Sequence, residues 1–583
     1  MFRNLFQLKK YFVRYKKTFV LGIIFILLSN IGQVYIPQLI KQGINAIEKN
    51  AVPEAVLKFV LLIVLTSLLA GVFRFLIRQT IIVTSWKIAN DLRYDFWNHL
   101  QKLSLRFYQN NSTGNIMSHA TNDINAVRSF VGPSVMYTID NGTKFLLVFF
   151  IMLSMNPLLT LYALLPSPFM TLVVYYVMSR VHAKYTKIQE KFADLTARAQ
   201  ENFSGIRVIK SYGREDYETE NYMYESKEYL KRKMDLVKLQ AMFIPVFLVI
   251  AGLSFIIVLW SGGIQMIEGN FSIGELVAFY AYLGMLIWPM ISFGWVATMI
   301  QQAEASMKRL LKILNEPYEI QDNANTDYNV KEINGEIEFK NVSFGYAANL
   351  PPVLKEINLR IEKGNTVAFI GKTGTGKTSL VNLIPRFYDS TGGEVLIDGV
   401  NVKNIPLQTL RKNIGMVSQE NFLFSDSLAN NVIYGLEGIL DNTIEKAADI
   451  AQLSKDVESF PKGFETILGE RGITLSGGQK QRSTLARAIA IDPKILILDD
   501  SFSAVDTNTE EEILRRLKQF MKNRTSIIIS HRISTVKDAD KIFVIEEGRI
   551  AEEGTHEELI ELNGIYADLN KRQLLEEELS EMD

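Results

Sequence analysis

The residues best equipped for chemistry fall in two clusters about 120 positions apart. In the first, Gly371-Lys372-Thr373-Gly374-Thr375-Gly376-Lys377-Thr378 follows an apolar, β-rich run (366–370) and precedes the helical pattern SLVNLI. Strand, glycine loop and helix form the context a phosphate-binding loop needs. Glycines let backbone N–H groups turn inward on phosphate, and the helix N-terminus favours its negative charge. Lys377 is expected to reach the β- and γ-phosphates of a nucleoside triphosphate, and the Thr378 hydroxyl to ligate Mg²⁺. In the second cluster, Ile495-Leu496-Ile497-Leu498 runs into Asp499-Asp500. A continuous apolar run suits a parallel strand buried on both faces. Its carboxyl end is where an open α/β sheet places ligands, so Asp499 fits as a second contact to Mg²⁺.

Between the clusters lies Leu475-Ser476-Gly477-Gly478-Gln479. Ser476 and the amides of Gly477 and Gly478, opening a helix, make an anion site. LSGGQ followed by KQRSTLARA resembles the signature motif of ATP-binding-cassette ATPases. In that family the signature helix closes on ATP held by the opposite subunit. The resemblance implies further roles in order along the chain. Tyr346 in VSFGY would stack on adenine, and Gln419 in VSQENFLF would touch Mg²⁺ and the attacking water. Glu470 in GERG would take part in crosstalk with the membrane part. Asp506 in SAVD would belong to the nucleotide-facing loop at the dimer interface, and His531 after TSIIIS would be the switch histidine.

One position departs from the family. Glu normally follows the Mg²⁺-binding Asp and polarises the attacking water; this chain has Asp500. Its carboxylate is one methylene shorter, and catalysis is sensitive to displacements of that size. General-base assistance is commonly worth about 10²–10⁴-fold, so this subunit's own site should hydrolyse slowly. With the signature and His531 intact, the expectation is a heterodimer. This chain would hold ATP in a degenerate site and lend its signature to a competent site on a Glu-bearing partner. A homodimer whose Asp still works is the alternative.

These clusters need a scaffold, and 583 residues are too many for one core. The chain is 48 % hydrophobic with zero formal net charge, so no global feature suggests a nucleic-acid partner. The absence of cysteine excludes disulfides, thiol catalysis and cysteine-ligated metals. The expected layout is a transmembrane domain at 1–315, a polar linker at 316–334 and an ATP-binding-cassette domain at 335–583 ending in a helical tail. The fold class is thus an α-helical six-span transmembrane domain joined to an α/β phosphate-loop ATPase domain. Six candidate spans lie at 18–40, 54–77, 135–155, 157–179, 241–267 and 274–300, each near the 20 apolar residues a bilayer requires. Lys and Arg crowd the N-terminus and the two long connections, which places these in the cytoplasm with the ATPase domain.

The long connections are rich in Lys, Glu, Ala and Leu and read as cytoplasmic continuations of the membrane helices. Turns are expected at Ser112-Thr113-Gly114-Asn115 and around Phe203-Ser204-Gly205. The surrounding STGNIMSHATND and ENFSGIRVIKSYGRED resemble the coupling regions of exporters. Asp140 and Lys144 are four residues apart inside a span and read as a self-neutralising pair, with Arg74 another intramembrane charge. Tyr280, Tyr282, Trp288, Phe293 and Trp295 in the sixth span would either line a cavity or face lipid.

The resemblance implies a multi-pass protein of a bacterial cytoplasmic membrane that uses ATP and Mg²⁺. Paired with a second half-transporter, it would export amphipathic drugs or lipids by alternating access. Rival readings are a homodimeric lipid flippase, a peptide exporter, and a nucleotide-gated channel or regulatory subunit. The absence of a peptidase domain before the first span weakens only the processing type of peptide exporter, and no large regulatory insertion favours the channel reading.

Overall fold

The computed structural model describes residues 3–49, 52–347, 349–436, 438, 442–469, 472 and 474–582. The chain forms two compact units: Met1–His99 with Gly114–Asn315, and Leu100–Thr113 with Glu316–Asp583.

Apolar composition builds the first unit from helices. Among the described residues, five are long and apolar enough to cross a membrane: Lys16–Glu48, Pro53–Leu100, Thr113–Met155, Glu215–Ile267 and Ile273–Leu314. The shortest has 33 residues, about 50 Å at a rise of 1.5 Å per residue, whereas the hydrocarbon core is about 30 Å. The helices therefore outrun the apolar layer, as the connection sequences suggest. The fourth expected span, 157–179, is not one helix. It divides into Pro157–Leu164, capped by the Asn156 side chain on the Leu159 N–H, and the start of Ser167–Ser204. Pro166 and Pro168 cause the division, because neither can donate to the helical ladder. Both orphaned carbonyls find new donors: Leu165 N–H bonds Tyr162 O at 3.3 Å, and the Ser167 hydroxyl bonds Leu164 O at 2.6 Å.

Close helix approach depends on residues without side-chain bulk. A Cβ on Gly132 would lie 2.6 Å from Ser85 Oγ, and one on Gly22 would lie 2.5 Å from Ile81 Cγ1. Ile81 and Gly132 lie within π-helical turns, Arg78–Ile82 and Phe130–Ser134, where the wider turn shifts the register of the packed face. Asp140 and Lys144 do pair, with 3.8 Å between Nζ and Oδ2. Of the sixth-span aromatics, Tyr282 is fully buried with its hydroxyl on Val34 O, and Tyr280 stacks on Phe255 and bonds Phe255 O. Trp288, Phe293 and Trp295 stay exposed in this chain.

The second unit is organised by strand alternation. Its strands are β1 (Ile337–Phe344), β2 (Leu354–Ile361), β3 (Thr366–Ile370), β4 (Gly392–Ile397), β5 (Val400–Asn401), β6 (Ile414–Val417), β7 (Ile495–Asp499), β8 (Thr525–Ile529), β9 (Lys541–Glu546) and β10 (Arg549–Gly554). An antiparallel sheet runs β2-β1-β4-β5; a six-stranded sheet runs β10-β9-β3-β8-β7-β6, parallel except for β10. Successive side chains of its central strands enter different cores. Ala368, Ile370, Leu496, Leu498 and Ile528 join one; Val367, Phe369, Ile495, Ile497, Ile527 and Ile529 join the other.

Residues 316–334 contain no helix or strand but are not a free tether. Asp322 accepts the Leu407 N–H at 3.0 Å, and Ile333 is buried with β1 and β2. Glu319 accepts from the Ser104 hydroxyl at 2.9 Å and from Arg106 at 3.3 Å, holding the short helix Leu105–Asn110 in this unit. The first expected turn shifts accordingly. The chain breaks at Asn111–Ser112, while Gly114 is already helical with nothing near its Cβ position. In the second connection Gly205 interrupts the helix, and the left-handed turn falls at Gly213, φ +58°.

Gly132→Ala should lower the thermal unfolding temperature in detergent, since overpacking costs about 1–3 kcal/mol. Gly142→Ala, in a helix with nothing within 4 Å of the added methyl, should leave it unchanged or raise it. Equal effects of the two substitutions would contradict the packing described.

Candidate active site

Three loops converge because three strands end together. Phe369 of β3 pairs with Ile529 of β8, which pairs with Asp499 of β7. The glycine loop starts two residues past Phe369, His531 lies two past Ile529, and Asp500 follows Asp499, its N–H on Ile529 O at 2.9 Å. Gln419 is exposed two residues beyond Val417 of β6, whose partner is Leu498, so it extends past the same edge.

The glycine loop is shaped by close approach. Gly371 has φ +153°, and a Cβ there would lie 2.3 Å from Ile545 O. Gly376, φ +102°, opens the helix Lys377–Asn382. The Lys377 ammonium donates to the carbonyls of Gly371 and Lys372, both at 2.8 Å, and Thr375 Oγ1 also bonds Lys372 O. Burial lowers the Lys377 pKa, opposed by the charges of Asp499 and Asp500. Thr373 and Gly374 form the exposed tip of the loop. Beside it, Tyr346 meets Phe344 and Tyr388 nearly edge-on and shares a 2.9 Å hydrogen bond with Ser379.

Thr378 donates to Asp499 Oδ1 at 3.3 Å, while Asp499 Oδ2 is buried without a hydrogen-bond partner. Burial raises the Asp499 pKa; Asp500 adds to this, and the Thr378 bond opposes it. A buried carboxylate oxygen lacking a donor, beside a hydroxyl, fits a hard divalent cation. Among the described residues there is no cluster of three or more His, Cys, Asp or Glu that would cage a metal. That sparse donor set suits Mg²⁺, which usually takes one or two protein oxygens and fills its shell with phosphate and water. The His531 pKa is lowered by burial first and by Lys377 second, while Asp500 pulls it up.

The signature segment stands apart from the phosphate loop: among the described residues no hydrogen bond joins 476–479 to 371–378. Ser476 caps the helix Gly477–Ala490 in a closed capping box, its Oγ accepting the Gln479 N–H while Gln479 Oε1 accepts the Ser476 N–H. Gly477 and Gly478 also serve packing, since added Cβ atoms would meet Ala504 at 3.3 and 3.0 Å. Asp506 caps the helix Thr507–Met521 through the Thr509 N–H, which lowers its pKa. Glu470 lies outside the described residues.

Some residues at this site escaped the sequence reading. Gln481 is buried and ties the signature helix to the loop after β7. Its amide donates to Ser503 Oγ at 3.0 Å and Asp500 O at 3.4 Å, and accepts the Ala504 N–H at 3.0 Å. Gln573, in the C-terminal helix Ile565–Met582, bonds His531 O and accepts the Ile533 N–H. No local pattern marks either residue, because their partners are distant in sequence.

Comparison with known proteins follows this geometry. The family model described as "ABC transporter transmembrane region" matches residues 19–290, and that described as "ABC transporter" matches 354–503. The uncharacterized ABC transporter ATP-binding protein YknU of Bacillus subtilis is 35 % identical over 564 residues, 96 % of each chain. The chain is an ABC transporter. The multidrug resistance-like ATP-binding protein MdlA of Buchnera aphidicola is 33 % identical over 576 residues, 98 % of this chain and 99 % of its own. A solved bacterial Atm1-family ABC exporter with ATP bound superposes with a TM-score of 0.80 at 26 % identity, covering 96 % of this chain and 98 % of that one. The present ABC transporter is thus an exporter-type half-transporter, a multi-pass membrane protein with an ATP-binding domain whose ATPase activity is coupled to transport. Exporters of this type work as dimers.

Gln481→Ala removes the acceptor of the part-buried Ala504 N–H and the donor to Ser503, a loss of about 0.5–1.5 kcal/mol per bond. The unfolding transition of the ATPase domain should drop by a few degrees, read by differential scanning calorimetry. Gln481→Glu keeps the acceptor for Ala504 but sets a buried carboxylate against the Asp500 carbonyl, so it should lose at least as much.

Proposed function

We propose that this half-transporter exports amphipathic small molecules, drugs or lipids, by alternating access, and that it does so beside a non-identical partner. The names of relatives such as the multidrug resistance-like MdlA support the substrate class. Exposed Trp288, Phe293 and Trp295 give the membrane unit apolar aromatic surface suited to such molecules. In the second connection Phe203, Val208 and Tyr212 are more than half exposed. A cytoplasmic segment with that much bare apolar surface is suited to docking on another chain.

The phosphate loop would hold the triphosphate through its backbone amides and Lys377, the ammonium exchanging its bonds to Gly371 and Lys372 for phosphate oxygens. Tyr346 would support the adenine. Thr378 and Asp499 would hold Mg²⁺, with Gln419 reaching the same ion and the attacking water; the ion supplies charge neutralisation on the β- and γ-phosphates. His531 would contact the γ-phosphate. Ser476, Gly477, Gly478 and Gln479, with Asp506 near the shared interface, would close on nucleotide held by the partner.

The observation that carries the asymmetric reading is Asp500. Its backbone is left-handed, φ +50°, a conformation Asp tolerates better than most residues. The chain therefore fixes where the carboxylate starts, and one methylene fewer shortens its reach. Hydrolysis would then run mainly at the partner's site, across this chain's signature.

Two measurements test this. Lys377→Ala should weaken labelled-nucleotide retention in this chain's site at least tenfold; unchanged occupancy would remove the phosphate-loop assignment. In the assembled transporter, Asp500→Asn should leave substantial phosphate release, while Ser476→Arg should nearly eliminate it. Equal collapse of both, or vigorous turnover by this chain alone, would sink the asymmetric model in favour of a homodimer.

A further inference from the structure

The side-chain amide of Gln479 has one accepting end and one donating end, and the box that closes the signature helix works in only one orientation. Oε1 must face the Ser476 N–H; the flipped amide would set donor against donor. A second group that selects the same orientation comes from outside the motif. Asp456, in the short helix Ser454–Ser459, accepts Gln479 Nε2 on Oδ1 at 3.0 Å. A carboxylate only accepts, so the donating end of the amide must turn towards it and the accepting end towards Ser476.

A carboxylate beside the N-terminus of an anion-binding helix would by itself repel phosphate. Here the charge is met in place: Arg482, three residues after Gln479 on the same helix, donates to Asp456 Oδ2 at 2.6 Å. Both groups are largely buried, with side-chain exposures of 13 % for Arg482 and 20 % for Asp456, so the pair is little screened by solvent. Asp456 thus orients the motif while its charge is spent on Arg482.

We infer that Asp456 is a positioning residue for the signature motif: it locks the Gln479 amide and so sets the loop of Ser476, Gly477 and Gly478 that meets nucleotide on the opposite subunit. The inference rests on the reading of 476–479 as a trans-acting anion site. Its effect should fall on turnover at the opposite site and leave nucleotide retention in this chain's own phosphate loop alone.

The test is steady-state ATP hydrolysis by the assembled transporter. Asp456→Ala should lower kcat roughly tenfold or more, since small misplacements of positioning groups carry costs of that order. Asp456→Asn keeps an oxygen that can accept from Gln479 and should recover part of the loss. Gln479→Ala should reproduce the defect, and with Arg482→Gln present in both variants, to remove the charge that Asp456 otherwise meets, Asp456→Ala should add nothing in that background, because both act through one amide. Labelled-nucleotide retention at the Lys377-dependent site should not change. Multiplicative losses in the combined variant, a loss of nucleotide retention parallel to the loss of kcat, or wild-type turnover by Asp456→Ala would each overturn the inference. Ser476→Arg separates the two layers: full activity in that variant would remove the trans-site reading itself.

Discussion

In-register parallel pairing of β3, β8 and β7 sets Phe369, Ile529 and Asp499 at one level, and the phosphate chemistry of this protein starts from that line. Each strand alternates its side chains between two apolar cores, so a one-residue slip would exchange the buried faces and put wrong shapes into both. The hydrophobic effect is non-directional, but through this alternation it fixes the level of three loops. Lys377, Asp499 and His531 are brought together by side chains that touch no ligand.

The same line explains why Asp500 matters beyond its identity. Its N–H is committed to Ile529, its carbonyl faces Gln481 and Ser503, and its backbone is left-handed. With its N–H and its carbonyl both bonded, the point from which its side chain starts is held in place. The signature helix reaches the same peptide through Gln481, so the loop after β7 and the helix capped by Ser476 form one bonded assembly.

Legibility in the sequence followed the range of the forces. The strand, glycine loop and helix around Lys377 were readable because the glycines, Lys377 and Thr378 lie within eight residues of one another, and so was the helix that opens after Ser476. Long apolar helices were readable because bilayer thickness imposes a length. The division of the fourth span was not legible because hydropathy averages over Pro166 and Pro168 without registering their missing donors. The first turn was expected at Ser112-Thr113-Gly114-Asn115 because glycine signals turns, whereas the break at Asn111–Ser112 comes earlier, just after Leu105–Asn110, which Glu319 holds from over two hundred residues away. Asp456, Gln481 and Gln573 were invisible for the same reason: each is an ordinary polar residue given meaning by a distant partner.

The divided fourth span also has a mechanical consequence. Bending a continuous helix in hydrocarbon means breaking backbone hydrogen bonds where no water can replace them. At Leu165–Pro166 two of those bonds were never made, and the carbonyls of Tyr162 and Leu164 already hold local donors that travel with the kink. The joint lies about 12 Å along the helix from Pro157, eight residues at 1.5 Å each. A swing of Ser167–Ser204 at this joint would carry its far end in the second connection with it, and it would avoid the ladder-breaking cost of bending an unbroken stretch of helix.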